Sequence, residues 1–457
     1  MNKPRLGAIA AALLVAGCSF VPTYERPSPP VAPTFVGQAA QGAELAVSDL
    51  EWRSFFRDER LRKLVELALQ NNRDLRVAVL SIEQTRAQLQ LRHADELPTV
   101  NAGMGLTRGP NSAGATVSTT TAGLTVTAFE LDLFGRVRAL SQAAQAQLLG
   151  TEEARKTVQM SLIAAVASTY LSLLADDELL RITRGALATR AQSLKLTQLK
   201  YDNEAASKLD LVQAQSLLES AKVALAQFTR QRALDENALV LLLGQPMPAN
   251  LPHGKALLEQ ELMPDLPAGL PAEVLVHRPD IRQAEQSLLA SNANIGAARA
   301  AFFPRITLTG SAGVVSNDLE SLFGNGSSAW TFVPQLLLPL FDAGRNQANL
   351  DATKVARDIA VAQYEKAIQT GFREVSDALA SRASLSEQLR AQAAQLDAEK
   401  TRMQLVDLRL LHGAANYFDL LDAQRSLFAA QQALMQVQVQ QLQNLVTMYK
   451  VLGGGWK

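Results

Sequence analysis

One cysteine, three tryptophans and four histidines are spread over 457 residues, aromatics make up 5 %, and the formal charge sums to zero. A single thiol gives an exported chain no internal disulfide. A balanced charge leaves no basic footprint of the kind a nucleic-acid partner needs, so no nucleic-acid binding is expected. His93, His253, His277 and His412 show no metal-ligand spacing, and no phosphate loop, nucleophile elbow or paired-cysteine motif occurs. The chain therefore reads as a non-enzyme with no metal and no cofactor. Beyond the N-terminus no apolar run reaches transmembrane-helix length, so a membrane crossing would have to be made by strands.

What the chain does contain is one unit repeated. A shift of 209 places Gly135-Arg136 on Gly344-Arg345, Asp210-Leu211 on Asp419-Leu420, and Leu243-Gly244 on Leu452-Gly453. Upstream, a shift of 206 places Asp74 on Asp280, Ala87 on Ala293 and Pro98 on Pro304. The difference must be absorbed between Pro98 and Gly135. An internal duplication means that each copy carries the same architecture.

The N-terminus supplies the address. Lys3 and Arg5 precede an apolar run, Leu6 to Ala16, of the size of a signal-peptide core, and it ends in Val15-Ala16-Gly17-Cys18. That tetrapeptide is similar to a bacterial lipobox, in which the cysteine is acylated and becomes the first mature residue. By the same resemblance, Ser19 after the cysteine favours the outer membrane. Without residues 1–17 the chain carries 42 basic and 44 acidic groups.

The rest divides by composition and punctuation. A signal segment 1–17 is followed by an acylated, Pro-rich, extended arm over 18–60 that carries Trp52, Phe55, Phe56 and Asp58. The first copy spans 61–244, a Pro-rich linker 245–269, the second copy 270–453, and a tail 454–457. Each copy should open with one helix, Leu64 to about Leu97 and Leu270 to about Phe303, stopped by Pro98 and Pro304.

After each proline the period becomes two. Val100, Ala102, Met104 and Leu106 alternate with Thr99, Asn101, Gly103, Gly105 and Thr107, and Ile306, Leu308, Ala312 and Val314 lie opposite Arg305, Thr307, Thr309 and Ser311. Return strands at Val117–Phe129 and Ala329–Phe341 complete hairpins over about 99–131 and 305–341, with Trp330 and Phe332 where an interfacial aromatic girdle would sit. Strands of about ten residues suit a tilted membrane crossing. Two soluble hairpins with one face on a core would show the same alternation. Four strands cannot close a membrane barrel, so a spanning chain must oligomerise, and a conducting pore favours three copies over two.

Helices fill the remainder. Gly135–Lys200 and Gly344–Arg409 hold no proline and would extend roughly 100 Å each at ~1.5 Å per residue. Each returns through a shorter helix, Ser207–Leu243 and Asn416–Leu452. Along the first return, ten positions from 211 to 242 step by three and four and are apolar except Arg232 and Asp235. At the equivalent places the second copy has Gln441 and Asn444. This is coiled-coil spacing.

At this point separated motifs carry a resemblance. They are His277-Arg278-Pro279-Asp280-Ile281, Asn294-Ile295-Gly296-Ala297-Ala298-Arg299, Phe341-Asp342-Ala343-Gly344-Arg345 and Tyr417-Phe418-Asp419-Leu420-Leu421-Asp422-Ala423-Gln424-Arg425. In this order they resemble the outer membrane factor (TolC- and OprM-like) lipoprotein family of tripartite efflux pumps. The resemblance implies a mainly α fold with membrane β: a homotrimer whose 12-stranded β-barrel, four strands per chain, continues into a periplasmic α-helical coiled-coil barrel. It also implies a place in the outer membrane, anchored in lipid through Cys18. The function implied is that of a passive exit duct for drugs or other small toxic compounds. Its partners would be a periplasmic membrane-fusion adaptor and an inner-membrane pump of the RND type.

The polar residues of interest lie at the two helix-to-helix turns. Asp202, Asn203, Glu204, Ala205, Ala206 and Ser207 form one; Leu411, His412, Gly413, Ala414, Ala415 and Asn416 form the other. Both are expected as adaptor-contact tips. Ser207 with Asp210, and Asn416 with Asp419, have capping-box spacing, so these aspartates serve either as helix starters or as lumenal charges. Asp422 is one turn further in and cannot be that cap. By resemblance, Asp210, Asp419 and Asp422 form the periplasmic gate, although Gln213 stands where the second copy has Asp422. Glu204 replaces a glycine usual in the family, and Leu410 and Ala415 replace its aromatic and basic locking partners. A non-conducting lipoprotein scaffold is the competing reading.

Each acyl chain adds roughly 0.8 kcal/mol per buried CH₂ to membrane anchoring. Cys18→Ser should therefore abolish labelling by radioactive fatty acid while the protein still reaches the outer membrane. A soluble periplasmic monomer in that fractionation would exclude strands that insert by themselves.

Overall fold

The computed structural model describes residues 19–35, 50–262, 272–324 and 326–456, so Cys18, part of the arm and part of the linker lie outside the described residues. Its elements are α1 (Trp52–Phe55), α2 (Glu59–Asn71), α3 (Arg73–Ala94), β1 (Val100–Pro110), β2 (Thr116–Glu130), α4 (Arg136–Asp202), α5 (Lys208–Leu243), α6 (Pro279–Ala300), β3 (Arg305–Ser316), β4 (Ser328–Leu337), α7 (Arg345–Leu411) and α8 (Tyr417–Val451). Short 3₁₀ turns lie at Leu257–Glu259 and Ala272–His277. Two compact units emerge, and each draws on both repeats. One comprises the described part of Met1–Pro29 with Leu80–Glu153 and Arg282–Ala367; the other comprises Pro30–Val79, Ala154–Ile281 and Ile368–Lys457.

The opening helices differ from expectation. The first is broken at Asn72, whose backbone is extended and whose side chain accepts from Leu75 N at 2.9 Å, so it starts a new helix. The same side chain donates to Leu242 O at 3.0 Å. Gly244 closes α5 there at φ 66°, and a Cβ on it would meet Asn71 O at 2.3 Å, so only glycine fits. The end of α5 thus sits on the break between α2 and α3. In the second repeat the α-helix begins at Pro279 and not at 270, because proline at the first helical position has no N–H to lose.

The arm is not extended throughout, since it contains α1 and the start of α2. Trp52, Phe55 and Phe56 are buried, with Phe55 stacked 4.2 Å from Tyr449. Buried Asp58 caps α2 through Arg60 N and Leu61 N, and its other oxygen accepts from Tyr170 Oη (3.0 Å), Gln260 Nε2 (2.7 Å) and Lys255 N (3.1 Å). One carboxylate therefore ties α2, α4 and the linker together. A further departure concerns α4, which does hold a window apolar enough to cross a membrane. Its Ile163, Val166, Ala167, Tyr170 and Leu171 are buried against protein, as in the core helix of a packed domain.

In the first unit the strands form one antiparallel sheet in the order β1-β2-β3-β4, so the hairpins of the two repeats pair directly. Register aligns Ala102, Leu124, Ala312 and Trp330 in one row and Val100, Val126, Gly310 and Phe332 in the next. On the opposite face the row is Asn101, Thr125, Ser311 and Thr331, with the last two hydroxyls 2.7 Å apart. Met104, Leu106, Trp330, Phe332 and Leu336 are 61 to 78 % exposed, so among the described residues no core covers the apolar face. That removes the soluble-hairpin reading. An apolar face without a core, backed by a polar face, is the pattern of a strand between lipid and water. β2 bulges between Val126 and Phe129, where Ala128 holds φ 52°.

Residues 19–26 run antiparallel to α6. Arg26 and Tyr24 meet Glu285 at 2.7 to 2.9 Å, Asn292 donates to Pro22 O at 2.8 Å, and Phe20 stacks 4.5 Å from Phe303. Val21 occupies the space over Gly296, where a Cβ would lie 2.5 Å from its side chain and 2.9 Å from its backbone. Gly296→Leu should expel the arm and destabilise its packing by about 1–3 kcal/mol, the usual cost of overfilling a packed site. Amide exchange at 20–26 should rise while the strands stay protected; unchanged exchange would show that the arm does not depend on Gly296.

Candidate functional site

Both helix-to-helix turns close with the same bonds. At the first, Glu204 N donates to Tyr201 O (3.0 Å) and Ala205 N to Lys200 O (2.7 Å); at the second, Gly413 N donates to Leu410 O (3.1 Å) and Ala414 N to Arg409 O (2.8 Å). The pivot residue is left-handed in each, Glu204 at φ 57° and Gly413 at φ 71°. Glycine adopts that conformation freely, whereas a residue with a Cβ meets a cost of roughly 1–2 kcal/mol. Glu204 therefore holds strain that the second turn lacks. Asp202 and Asn203 are tied back to their own helix, by Gln198 Nε2 and to Leu199 O respectively, both at 2.7 Å. Ala205, Ser207, Leu411, His412, Gly413, Ala414 and Asn416 are exposed; Ala206 and Ala415 are half-buried.

The next helices start with reciprocal caps. Asp210 N donates to Ser207 Oγ at 3.1 Å and Ser207 N to Asp210 Oδ2 at 3.0 Å; Asp419 and Asn416 repeat the exchange at 2.9 and 3.3 Å. Asp210 and Asp419 thus serve as helix starters. Asp422 has a different environment. Arg402 of α7 reaches its Oδ2 at 2.5 Å and Arg425, one turn on, binds Oδ1. Hydrogen bonding by Arg402, with the charge of Arg425 added, holds the Asp422 carboxyl below its ordinary value. Asp422 and its repeat equivalent Gln213 line one cavity of about 330 Å³, while Asp419 and Arg402 open on another. Asp210 lines neither.

Arg402 and Arg425 were not singled out by sequence. Neither was Tyr417 as a lock: its hydroxyl donates to Ser193 O at 2.7 Å, and Lys200 lies 5.6 Å from its ring centre. For Arg402 the available signal was the antiparallel hairpin, which sets α7 beside α8 on either side of the turn; Tyr417 meets α4 of the other repeat, which no local signal marks.

The polar interruptions of the helical seams are used across helices. Arg232 binds Asp177 of α4 at 2.6 Å and Glu236 at 2.8 Å, and Asn444 donates to Ala378 O of α7 at 3.1 Å. Beside Arg232, Asp176 is buried with one oxygen unbonded. Burial, then the neighbouring Asp235, then Asp177, push its carboxyl up to about 7, with Arg232 acting the other way.

A family model described as outer membrane efflux protein matches residues 64–245 and 270–454, one stretch for each repeat. The solvent efflux pump outer membrane protein SrpC of Pseudomonas putida is 44 % identical over 98 % of this chain and 97 % of its own length. Outer membrane protein OprJ of Pseudomonas aeruginosa is 42 % identical over 100 % and 97 %. Among solved structures, the open state of the Neisseria gonorrhoeae MtrE outer membrane channel aligns with TM-score 0.90 and 39 % identity, covering 96 % of this chain and 99 % of that one.

The Asp176 carboxyl generates a pH dependence. A carboxyl raised in the folded state stabilises it fully below its unfolded value and loses that contribution as pH rises through about 7. The thermal midpoint, followed by circular dichroism in detergent, should fall between about pH 4 and 7 and level off above that. Asp176→Asn, neutral throughout, should flatten that slope; an equally steep slope in the variant would assign it to another group.

Proposed function

The chain belongs to the outer membrane efflux protein family, and on that premise we propose how this outer membrane channel of an efflux system closes, docks and gates. The carrying observation is the four-stranded sheet, whose apolar rows run across both repeats and whose edge strands β1 and β4 have no outer partner strand among the described residues. Lipid leaves no unpaired backbone group unpenalised, so the edges must pair with other copies. Three copies give twelve strands, enough for an open lumen, whereas two give a barrel filled by its own side chains.

The lipid anchor follows the same geometry. Phe20 stacks beside Phe303, the residue before Pro304 and the start of β3. Cys18 itself lies outside the described residues, and its acylation is proposed from the lipobox-like sequence before it. The exposed turns 202–207 and 411–416 supply the contact for a periplasmic adaptor, which in turn engages an inner-membrane pump of the RND type. The cargo is small, apolar and toxic, in keeping with relatives named for solvent, toluene and antibiotic efflux. A duct of this kind needs no catalytic residue. Asp419 and Asp422 form the acidic part of the constriction with Asp210 beside them, and the pair from Arg402 to Asp422 holds α7 and α8 together as the closed latch, with Arg425 of α8 on the other carboxylate oxygen.

Planar-bilayer recordings test this reading. Wild-type trimers should conduct poorly and prefer cations. Asp422→Ala releases Arg402 and should raise conductance severalfold while lowering cation preference, and Asp419→Ala should lose about 0.5–2 kcal/mol of helix-start stability as well. Wild-type conductance and selectivity in the double variant, across low and high salt, would remove the aspartates from the gate. Cysteines at Ala206 and Ala414 should crosslink to the adaptor; crosslinking confined to cysteines at Ser321 would invert the orientation.

A further inference from the structure

Arg232, Arg278 and Arg402 of the helical unit each pair with an acid, whereas Arg190 has no acidic partner among the described residues. It sits on α4 with 3 % of its surface exposed, and its hydrogen bonds among the described residues run from Nη1 to neutral acceptors of α5, Leu217 O at 3.0 Å and Ser220 Oγ at 3.1 Å. Its guanidinium lies 4.8 Å from the centre of the Phe428 ring. Burial lowers its proton affinity, with no carboxylate to restore it. A buried guanidinium without counter-charge is unfavourable unless an anion can reach it.

An approach exists. Arg190 lines a cavity of about 290 Å³ between α4, α7 and α8, walled by Ile182, Gly185, Met403, Gln424 and Phe428. The lining is mixed: Ile182, Met403, Leu427 and Phe428 form an apolar wall, and Thr189, Gln424 and Gln431 a polar one. Arg181 at its rim is already neutralised by Glu178 at 2.6 Å, which leaves Arg190 as the uncompensated charge. Gly185 has open space where a Cβ would be, so the helix has its smallest residue facing the cavity.

Gln424 supplies the second observation. It is 9 % exposed, its Nε2 donates to Ser193 Oγ at 3.1 Å, and its Oε1 is buried without a partner. Gln424 thus forms part of the polar wall, and Arg190 is the charged donor that borders the cavity. A carboxylate has the acceptors and the charge for the guanidinium, and Ile182, Met403, Leu427 and Phe428 suit a compact hydrocarbon body.

We propose that this cavity is a binding site for a small organic carboxylate, held by Arg190 with its apolar part against Ile182, Met403 and Phe428. The site is distinct from the turns and the aspartates, and it stands independently of how the channel gates. Charge selects the anion, and the apolar walls select against a bare inorganic one.

Isothermal titration of the purified full-length protein in detergent, with benzoate as the probe, tests this directly. Saturable benzoate binding is expected, with benzamide, of the same shape but uncharged, and inorganic phosphate each at least tenfold weaker. Arg190→Gln should weaken benzoate at least tenfold. Gly185→Leu, which fills the cavity, leaves Arg190 in place and favours the helix, should abolish binding, so a folding defect in the first variant does not decide the matter. Benzamide or phosphate binding as tightly as benzoate, no benzoate binding to the wild type, or full binding to well-folded Gly185→Leu would each overturn the proposal.

Discussion

Hydrocarbon offers no hydrogen bonds, so a sheet that meets lipid has to pair every backbone N–H and C=O with another strand. The rest of this chain answers to that constraint. Each repeat contributes one hairpin, and β2 pairs with β3 so that the duplicated hairpins become one four-stranded sheet. The cross-strand register then matters more than any single strand, because it brings Leu124 beside Ala312 and Trp330 on one face and Thr125 beside Ser311 and Thr331 on the other. A slip of one residue would reverse the faces of every partner. Gly123 opposite Gly313 lets the two repeats approach there, since a Cβ on either would meet backbone at 2.2 to 2.7 Å.

The helical unit follows a different rule. Its seams are mainly Ala and Leu, which pack well but specify register poorly, and the polar residues within them supply the specificity. Arg232 to Asp177, Asn444 to Ala378 O, Gln443 to Ser168 O and Arg402 to Asp422 each join two helices at one height. A helix displaced by a turn would separate these groups from their partners, at a modest cost for the partly exposed charges and about 1–3 kcal/mol for an enclosed amide left unpaired. Such bonds are also points where a small rearrangement could release one helix from another. The Arg402, Asp422 and Arg425 cluster suits that role because its groups are only partly buried and water can take over the bonds.

The two repeats diverge where function separates them. Asp422 has Gln213 as its counterpart, and Gly413 has the strained Glu204. Capping pairs, turn bonds and the 67-residue long helices have been kept in both copies. Differences occur at the turns, in the return strands, of 15 and 10 residues, and at the opening helices.

Much of this was legible in the residues themselves. A period of two after Pro98 and Pro304, proline-free stretches before and after the turns, and Ser or Asn three residues ahead of Asp are local signals, and local signals survive into any fold that accepts them. The break at Asn72 was not legible, because an asparagine in a helical pattern is neutral until Leu242 and the end of α5 arrive to occupy it. Nor was the burial of the apolar window in α4, which composition alone cannot tell from a membrane span. By itself the sequence determined the duplication, the kinds of element and the positions of the caps, all of which depend on neighbours a few residues away. Only the tertiary structure decided that Arg402 would hold Asp422, that Asp176 would face Asp235, and that Arg190 would be buried without an acid. Those pairings join residues 20 or more positions apart, and which of them come together is set by how the helices pack.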